Sequence, residues 1–199
     1  MITTELIKGN EILIVMFADE SFEPEKDFEP SVLLVKNFDW NRDLSPWPAA
    51  RVFKKGEDFG GHADETLAVI LEAMAKIDYQ KAVIAGYSLA GLFALYACTV
   101  TDRFDACISA SGSLWYEGFD TWLKEHPLKC ETVFLSLGDT EKNTRNPRMA
   151  KVEEKTKEAY ALISSYTSCE MQMNPGGHFN DPHGRLMNAI RRTIGKFNL

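Results

Sequence analysis

The chain has 199 residues, of which 45% are hydrophobic and 26% are charged, and its formal net charge is −7 at pH 7. This apolar content excludes an intrinsically disordered chain, and the acidic balance disfavours nucleic acid as a partner. We therefore expect one globular domain that spans residues 1–199.

The amino-terminal stretch has no basic segment before an apolar one, and its first apolar run, residues 12–17, is too short to cross a membrane. The four cysteines include no CxxC pair and no metal-type spacing. We therefore predict a cytoplasmic protein without membrane contact, disulfide framework, metal or cofactor.

Short apolar runs alternate with segments of helical periodicity along the chain. Runs without polar alternation predict strands buried on both faces, as in a parallel sheet. They cover residues 12–17, 32–35, 82–85, 106–109, 132–137 and, more weakly, 170–173. The helical segments cover residues 67–77, 89–98, 149–163 and 186–197. This alternation predicts an α/β fold in which a mostly parallel sheet carries helices on both faces.

A serine follows the third apolar run in a distinctive setting. The run continues into Gly-Tyr-Ser-Leu-Ala-Gly at residues 86–91 and then directly into an apolar helical segment. A buried strand, a tight turn of small residues around a serine and a helix together form the nucleophile elbow of α/β-hydrolases. Ala90 stands where glycine is usual, which weakens the motif by one methyl group. The pattern predicts Ser88 as a nucleophile; the alternative is a chance serine in a strand–helix turn.

A serine nucleophile needs a base, and the chain order of α/β-hydrolases places that histidine after the last strand. His178 follows the sixth run and a Pro-Gly-Gly loop, whereas His62, His126 and His183 lack this context. We therefore predict His178 as the general base.

An acid that orients the imidazole is expected after the fifth apolar run. Two carboxylates follow Gly138 there, and the spacing Gly-x-x-acid favours Glu141 over Asp139, which stays the alternative. The oxyanion hole needs two backbone amides. We expect one from Leu89, directly after the serine, and the other from Phe17 or Ala18 after the first run.

Aromatic residues follow several predicted strands, where open α/β sheets bind ligands. Trp40, Tyr87 and Trp115 are the predicted substrate-binding residues. For Trp47 and Trp122, packing between loops is an equally good interpretation.

Five segments resemble the putative esterase family of α/β-hydrolases, which includes esterase D-like and enterochelin esterase-like enzymes. They are residues 41–46, 59–64, the elbow at 86–95, the Ser-Gly-Ser-x-Trp segment at 104–115 and Gly-His-Phe at 177–179. The resemblance implies a compact α/β-hydrolase fold that lacks the leading strands and the large lid of bigger members.

The sequence therefore predicts a serine hydrolase that cleaves small carboxylic esters through an acyl-enzyme on Ser88. An acyltransferase, or an amidase or peptidase, would use the same residues, and a hydrolase-fold binding protein without activity is the third alternative. The small-molecule ester is the only expected partner. The sequence identifies neither the ester nor the oligomeric state of the protein. A homodimer is one of the oligomeric states that it leaves open.

Overall fold

The computed structural model describes residues 1–18, 25 and 27–197 of the chain. The strands are β1 (Thr3–Ile7), β2 (Asn10–Phe17), β3 (Pro30–Lys36), β4 (Pro48–Ala49), β5 (Phe59–Gly60), β6 (Lys81–Tyr87), β7 (Ala106–Ala110), β8 (Thr132–Gly138) and β9 (Ser168–Asn174). The helices are α1 (Trp40–Asp43), α2 (Ala63–Met74), α3 (Leu89–Val100), α4 (Phe119–Glu125), α5 (Val152–Ile163) and α6 (Pro182–Ile194), and a 3₁₀ turn (Met149–Lys151) precedes α5.

Seven strands form one sheet in the order β1-β3-β2-β6-β7-β8-β9. Within this sheet β1 runs antiparallel to β3, and the five pairs that follow are parallel. The short strands β4 and β5 pair antiparallel in a separate two-stranded sheet. Each of the six predicted apolar runs lies within one of the six parallel strands. The predicted mostly parallel sheet is therefore confirmed.

Both faces of this sheet are covered by helices. Because successive side chains of a strand point to opposite faces, Leu13 and Val15 join one buried apolar cluster, and Ile14 and Met16 join the other. Helices α2 and α3 pack in the first cluster and α6 in the second. The absence of polar alternation in these strands follows from burial on both faces.

The strand β1 precedes the predicted first strand, which corrects the expectation that leading strands are missing. Its sequence, TTELI, alternates between exposed and half-buried positions, as suits an edge strand, so it contains no continuous apolar run. The expected lack of a large lid agrees with the segment between β7 and β8, where the chain adds a single helix, α4, of 7 residues.

Candidate active site

Ser88 stands in a sharp turn between β6 and α3. Its backbone has φ 59° and ψ −122°, a conformation that side-chain-bearing residues rarely adopt. The turn is tight enough that a Cβ on Gly86 would lie 2.1 Å from the carbonyl oxygen of Ala90. The N–H of Ser88 donates to the carbonyl of Ala110 at the end of β7, at 3.0 Å. The turn is therefore held against the sheet with the serine side chain facing the cleft described below.

His178 lies beside this serine although 90 residues separate them in the chain. Its Nε2 is 3.0 Å from Ser88 Oγ, a hydrogen-bonding distance. The loop between β9 and α6 carries the histidine, and four contacts hold this loop. They are Tyr87 Oη to the His178 carbonyl at 2.5 Å, the Gly176 N–H to Asp139 Oδ1 at 2.8 Å, the Gly177 N–H to Asn180 Oδ1 at 2.8 Å, and Arg185 Nη2 to the Pro175 carbonyl at 2.7 Å.

Glu141 is the carboxylate that contacts the imidazole. Its Oε2 lies 2.8 Å from Nδ1 of His178. Asp139, the alternative acid, instead accepts the N–H of Gly176 with its exposed carboxylate. The structure thus brings together Ser88, His178 and Glu141, and places Asp139 in the support of the histidine loop.

The second oxygen of Glu141 has its own set of donors. Oε1 accepts from Ser111 Oγ at 2.7 Å and from the N–H of Gly138 at 2.7 Å. Burial by itself raises the pKa of this carboxyl group, but the hydrogen bonds from His178, Ser111 and Gly138 outweigh burial and lower the pKa below its ordinary value. Glu141 is therefore held as a carboxylate, the form that accepts a hydrogen bond from the Nδ1–H of His178.

Two further residues, Tyr87 and Arg185, support this arrangement in a way that the sequence analysis did not predict. Burial raises the pKa of Tyr87, so its hydroxyl keeps the proton that it donates to the His178 carbonyl. Tyr87 thus supports the histidine as well as lining the cleft. The guanidinium of Arg185 lies 3.3 Å from Glu141 Oε1, with its side chain 5% exposed. Its one sequence signal is a charge on the otherwise apolar face of α6, beside Leu186.

The predicted oxyanion donors have different surroundings. Leu89 is the first residue of α3, so its N–H has no acceptor within the helix, and the residue lines the cleft beside Ser88. The N–H of Ala18 instead donates to the Val35 carbonyl at 3.3 Å, which extends the pairing of β2 with β3. That amide is already bonded within the sheet, so it is not free to donate to an oxyanion. The ring of Phe17 packs edge-on against Phe38 and Phe93.

Ser88 and His178 line a cleft of about 1190 Å³. Trp40 and Trp115, two of the predicted substrate-binding residues, line it together with Phe53, Phe59 and Phe179. Two loops form one wall, because Asn146 Nδ2 donates to the Val52 carbonyl and Arg148 Nη1 to the Ala50 carbonyl, at 2.5 and 2.7 Å. Phe179 is 87% exposed at the rim. The cleft is therefore aromatic and open to solvent.

Other residues singled out in the sequence have structural contacts. Trp47 and Trp122 pack against each other at 5.5 Å between ring centroids, outside the cleft lining. His62 pairs with Glu65 at the start of α2, and the ring of His126 stacks on Trp122. Within residues 1–18, 25 and 27–197, no three His, Cys, Asp or Glu side chains are grouped as metal ligands would be. No helix in the same part of the chain combines the length and the apolar content needed to span a bilayer.

Comparison with known proteins identifies the family. Residues 49–189 match the sequence profile of the family described as "Putative esterase". "Uncharacterized protein YbbA" of Bacillus subtilis (strain 168) is 27% identical over 158 residues, which cover 72% of this chain and 63% of that protein. The aligned part of the chain thus spans less than two thirds of this relative's length.

Solved structures share the fold at low sequence identity. An IroE-like serine hydrolase from Shewanella oneidensis is similar with a TM-score of 0.76 and 16% identity, over 96% of this chain and 72% of that one. The enterobactin esterase FES from Shigella flexneri is similar with a TM-score of 0.66 and 17% identity, over 98% of this chain and 56% of that one. Because the family profile matches well over half of the chain, the protein belongs to the putative esterase family of α/β-hydrolases.

Proposed function

We propose that the protein is a serine esterase that cleaves small carboxylic esters through an acyl-enzyme on Ser88. The observation that carries this proposal is the continuous hydrogen-bonded chain from Ser88 Oγ through His178 to Glu141, at 3.0 and 2.8 Å, beneath an open cleft. A serine paired with an oriented imidazole is the arrangement that activates a hydroxyl for attack on a carbonyl.

In the proposed reaction, Ser88 Oγ attacks the ester carbonyl while Nε2 of His178 takes the hydroxyl proton. Glu141, a buried carboxylate on Nδ1, stabilises the imidazolium that forms. The Leu89 N–H, at the amino terminus of α3, donates to the developing oxyanion, where the helix dipole also favours negative charge. The imidazolium then returns the proton to the leaving alcohol, and water releases the acyl group by the same steps.

An exposed rim, where Phe179 is 87% exposed, supports water as the acceptor and hence hydrolysis over acyl transfer. An esterase and a peptidase both use water, so the leaving group is what separates them. A matched ester and amide with one acyl group, each incubated with and without an added alcohol, separates these reactions. We expect the free acid from the ester, little cleavage of the amide and little acyl transfer to the alcohol.

A fluorophosphonate probe tests the nucleophile directly. We expect a covalent adduct on Ser88 in the wild-type protein, no adduct in Ser88→Ala, and much slower labelling in His178→Ala, because removal of either residue of a serine–histidine pair costs roughly 10⁶-fold in turnover. Peptide mapping by mass spectrometry locates the adduct.

His62→Ala is the matched control, because His62 also pairs with a glutamate but lies outside the cleft lining. It should label like the wild type. An intact, folded wild-type protein that carries no adduct on Ser88 would overturn the proposal and favour a binding protein without activity.

A further inference from the structure

Arg185 is a buried cation on the last helix that the proposed reaction does not itself use. Its side chain is 5% exposed, and it lies at the start of α6 on the face that packs against the sheet. Burying a guanidinium costs free energy unless its N–H groups bond to acceptors. The acceptors of Arg185 therefore show which parts of the site it contacts and can hold in place.

The acceptors of Arg185 belong to two separate parts of the site. Nη1 lies 3.3 Å from Oε1 of Glu141, and Nη2 donates to the carbonyl of Pro175 at 2.7 Å. Pro175 begins the loop that carries His178. One planar side chain thus binds both the acid and the histidine loop.

Further contacts of the same guanidinium reach two more supports of the site. Nη1 is 3.4 Å from Tyr87 Oη, which donates to the His178 carbonyl, and 3.5 Å from Ser111 Oγ, which donates to Glu141. Tyr87 and Ser111 are neutral. Of these three side chains, Arg185 therefore carries the positive charge that balances the negative charge of Glu141, from the side of its Oε1 atom.

We propose that Arg185 is a positioning residue, which sets the distance and orientation between Glu141 and His178 by binding the acid and the histidine loop at once. This inference rests on the proposed function, because it concerns how the same serine–histidine–acid chain is held. The guanidinium acts through Glu141 and Pro175.

The geometry explains why arginine suits this position. Its fork presents several N–H donors in one plane, so it can bind a carboxylate and a carbonyl together, whereas the ammonium of lysine is a point charge on a flexible stem. A displacement of about 1 Å in a reacting group can cost roughly 10²-fold in rate. Without the bond to the Pro175 carbonyl, the loop that carries the imidazole has one contact fewer to fix its position.

The charge of Arg185 also bears on the protonation of the imidazole. The groups that face His178 from the packed elements are Glu141 after β8, Tyr87 at the end of β6 and, behind them, Arg185 on α6. A positive charge near an imidazolium disfavours it. Removing the guanidinium should therefore displace the pH dependence of the Ser88 reaction to higher pH.

The test measures the rate of fluorophosphonate labelling of Ser88 between about pH 5 and pH 9 in Arg185→Met, Arg185→Lys and the wild type. We expect Arg185→Met to label roughly 10- to 100-fold more slowly at neutral pH. We also expect its pH profile to be displaced to higher pH than that of the wild type. Arg185→Lys keeps the charge but not the fork, so it should label more slowly with the wild-type midpoint.

Arg191→Met is the matched control, because it removes an arginine from the same helix whose contacts are with Glu25 and Asp27, away from the cleft lining. It should label like the wild type. Circular dichroism and thermal unfolding report the folded fraction of each variant. Should Arg185→Met not fold, the rate of Arg185→Lys decides, since a wild-type rate there overturns the positioning role.

Two failures are distinguished by this design. If the wild-type protein carries no adduct on Ser88, the proposed function fails. If the wild type labels and Arg185→Met labels equally fast, this inference is wrong. It is also wrong if the slower labelling of Arg185→Met is fully explained by its unfolded fraction and the midpoint of its pH profile is unchanged, because Arg185 then has a merely structural role.

Discussion

At the residue scale, the turn after β8 decides which carboxylate reaches the imidazole. The N–H of Glu141 donates to the Gly138 carbonyl at 3.2 Å while its Oε1 accepts the Gly138 N–H, so the side chain folds back over the turn toward His178. The carboxylate of Asp139 lies on the other side, where it accepts the Gly176 N–H.

This arrangement predicts opposite outcomes for two isosteric substitutions. Glu141→Gln should lower kcat on a model ester by roughly 10²- to 10⁴-fold, because the amide neither stabilises the imidazolium nor fixes its tautomer. Asp139→Asn should stay close to the wild type, because the asparagine oxygen can still accept the Gly176 N–H. Steady-state kinetics of the two variants side by side checks this, and equal losses in both would contradict the assignment of Glu141.

The pH profile of activity follows from the same residues. The pKa of Glu141 lies below its ordinary value, with burial opposing and the hydrogen bonds from His178, Ser111 and Gly138 producing the shift. Glu141 thus stays ionised across neutral pH and does not itself make the activity depend on pH there. We expect kcat/KM to rise with pH, because the base must be unprotonated to take the proton of Ser88. A rate that is flat from about pH 5 to pH 8 would contradict His178 as the base.

At the scale of elements, the turn between β6 and α3 depends on the absence of a side chain at Gly86. A Cβ there would lie 2.1 Å from the oxygen and 2.2 Å from the carbon of the Ala90 carbonyl, which are backbone atoms that cannot move aside alone. Ala90 itself is accommodated with 1% exposure, which explains why the departure from glycine at that position is tolerated.

Gly86→Ala should therefore lower the free energy of unfolding by about 1–3 kcal/mol or more and displace Ser88 from the imidazole. Chemical unfolding and the labelling rate measure the two effects. Gly195→Ala at the end of α6 is the control, because the nearest atom to its Cβ would lie at 3.2 Å and its φ is −63°. If Gly86→Ala were as stable and as reactive as this control, the turn would not need glycine.

At the scale of the whole molecule, the buried acid couples stability to pH. Burial opposes the ionisation of Glu141, but its hydrogen bonds outweigh burial and lower its pKa in the folded state. The carboxylate therefore stabilises the fold at pH values above 4.5, the ordinary pKa of this group. That contribution is lost as the pH falls through the lowered folded-state pKa.

The difference in unfolding free energy between wild type and Glu141→Gln should thus be larger at pH 7 than below the folded-state pKa of the acid. Urea unfolding at both pH values measures it. Glu154→Gln, in the exposed first turn of α5, is the control for the loss of one negative charge outside the site. If the difference in unfolding free energy between wild type and Glu141→Gln is the same at both pH values, the charge of the carboxylate does not contribute to stability.

The strands were predicted from sequence wherever burial was continuous. Five of the six parallel strands lie over mostly apolar runs, because a strand covered on both faces needs apolar side chains throughout. The sixth, β9, is an edge strand, and its run is correspondingly weaker and half-polar. The strand β1, with alternating exposure, and α1 and α4, with 4 and 7 residues, were not predicted because an edge strand and a short helix leave too weak a period.

The sequence by itself determined the family, the sheet and the identity of two of the contacting residues, Ser88 and His178, because local turn chemistry and chain order specify an elbow and a loop histidine. Only the tertiary structure showed that Glu141, and not Asp139, contacts the imidazole. It also showed that the Ala18 N–H donates to the Val35 carbonyl and that Arg185 contacts Glu141. The contacts of Tyr87 with His178 and of Arg185 with Glu141 span 91 and 44 residues of chain. Such distant pairs meet only when parallel strands align their carboxyl ends at one edge of the sheet, which no local pattern records.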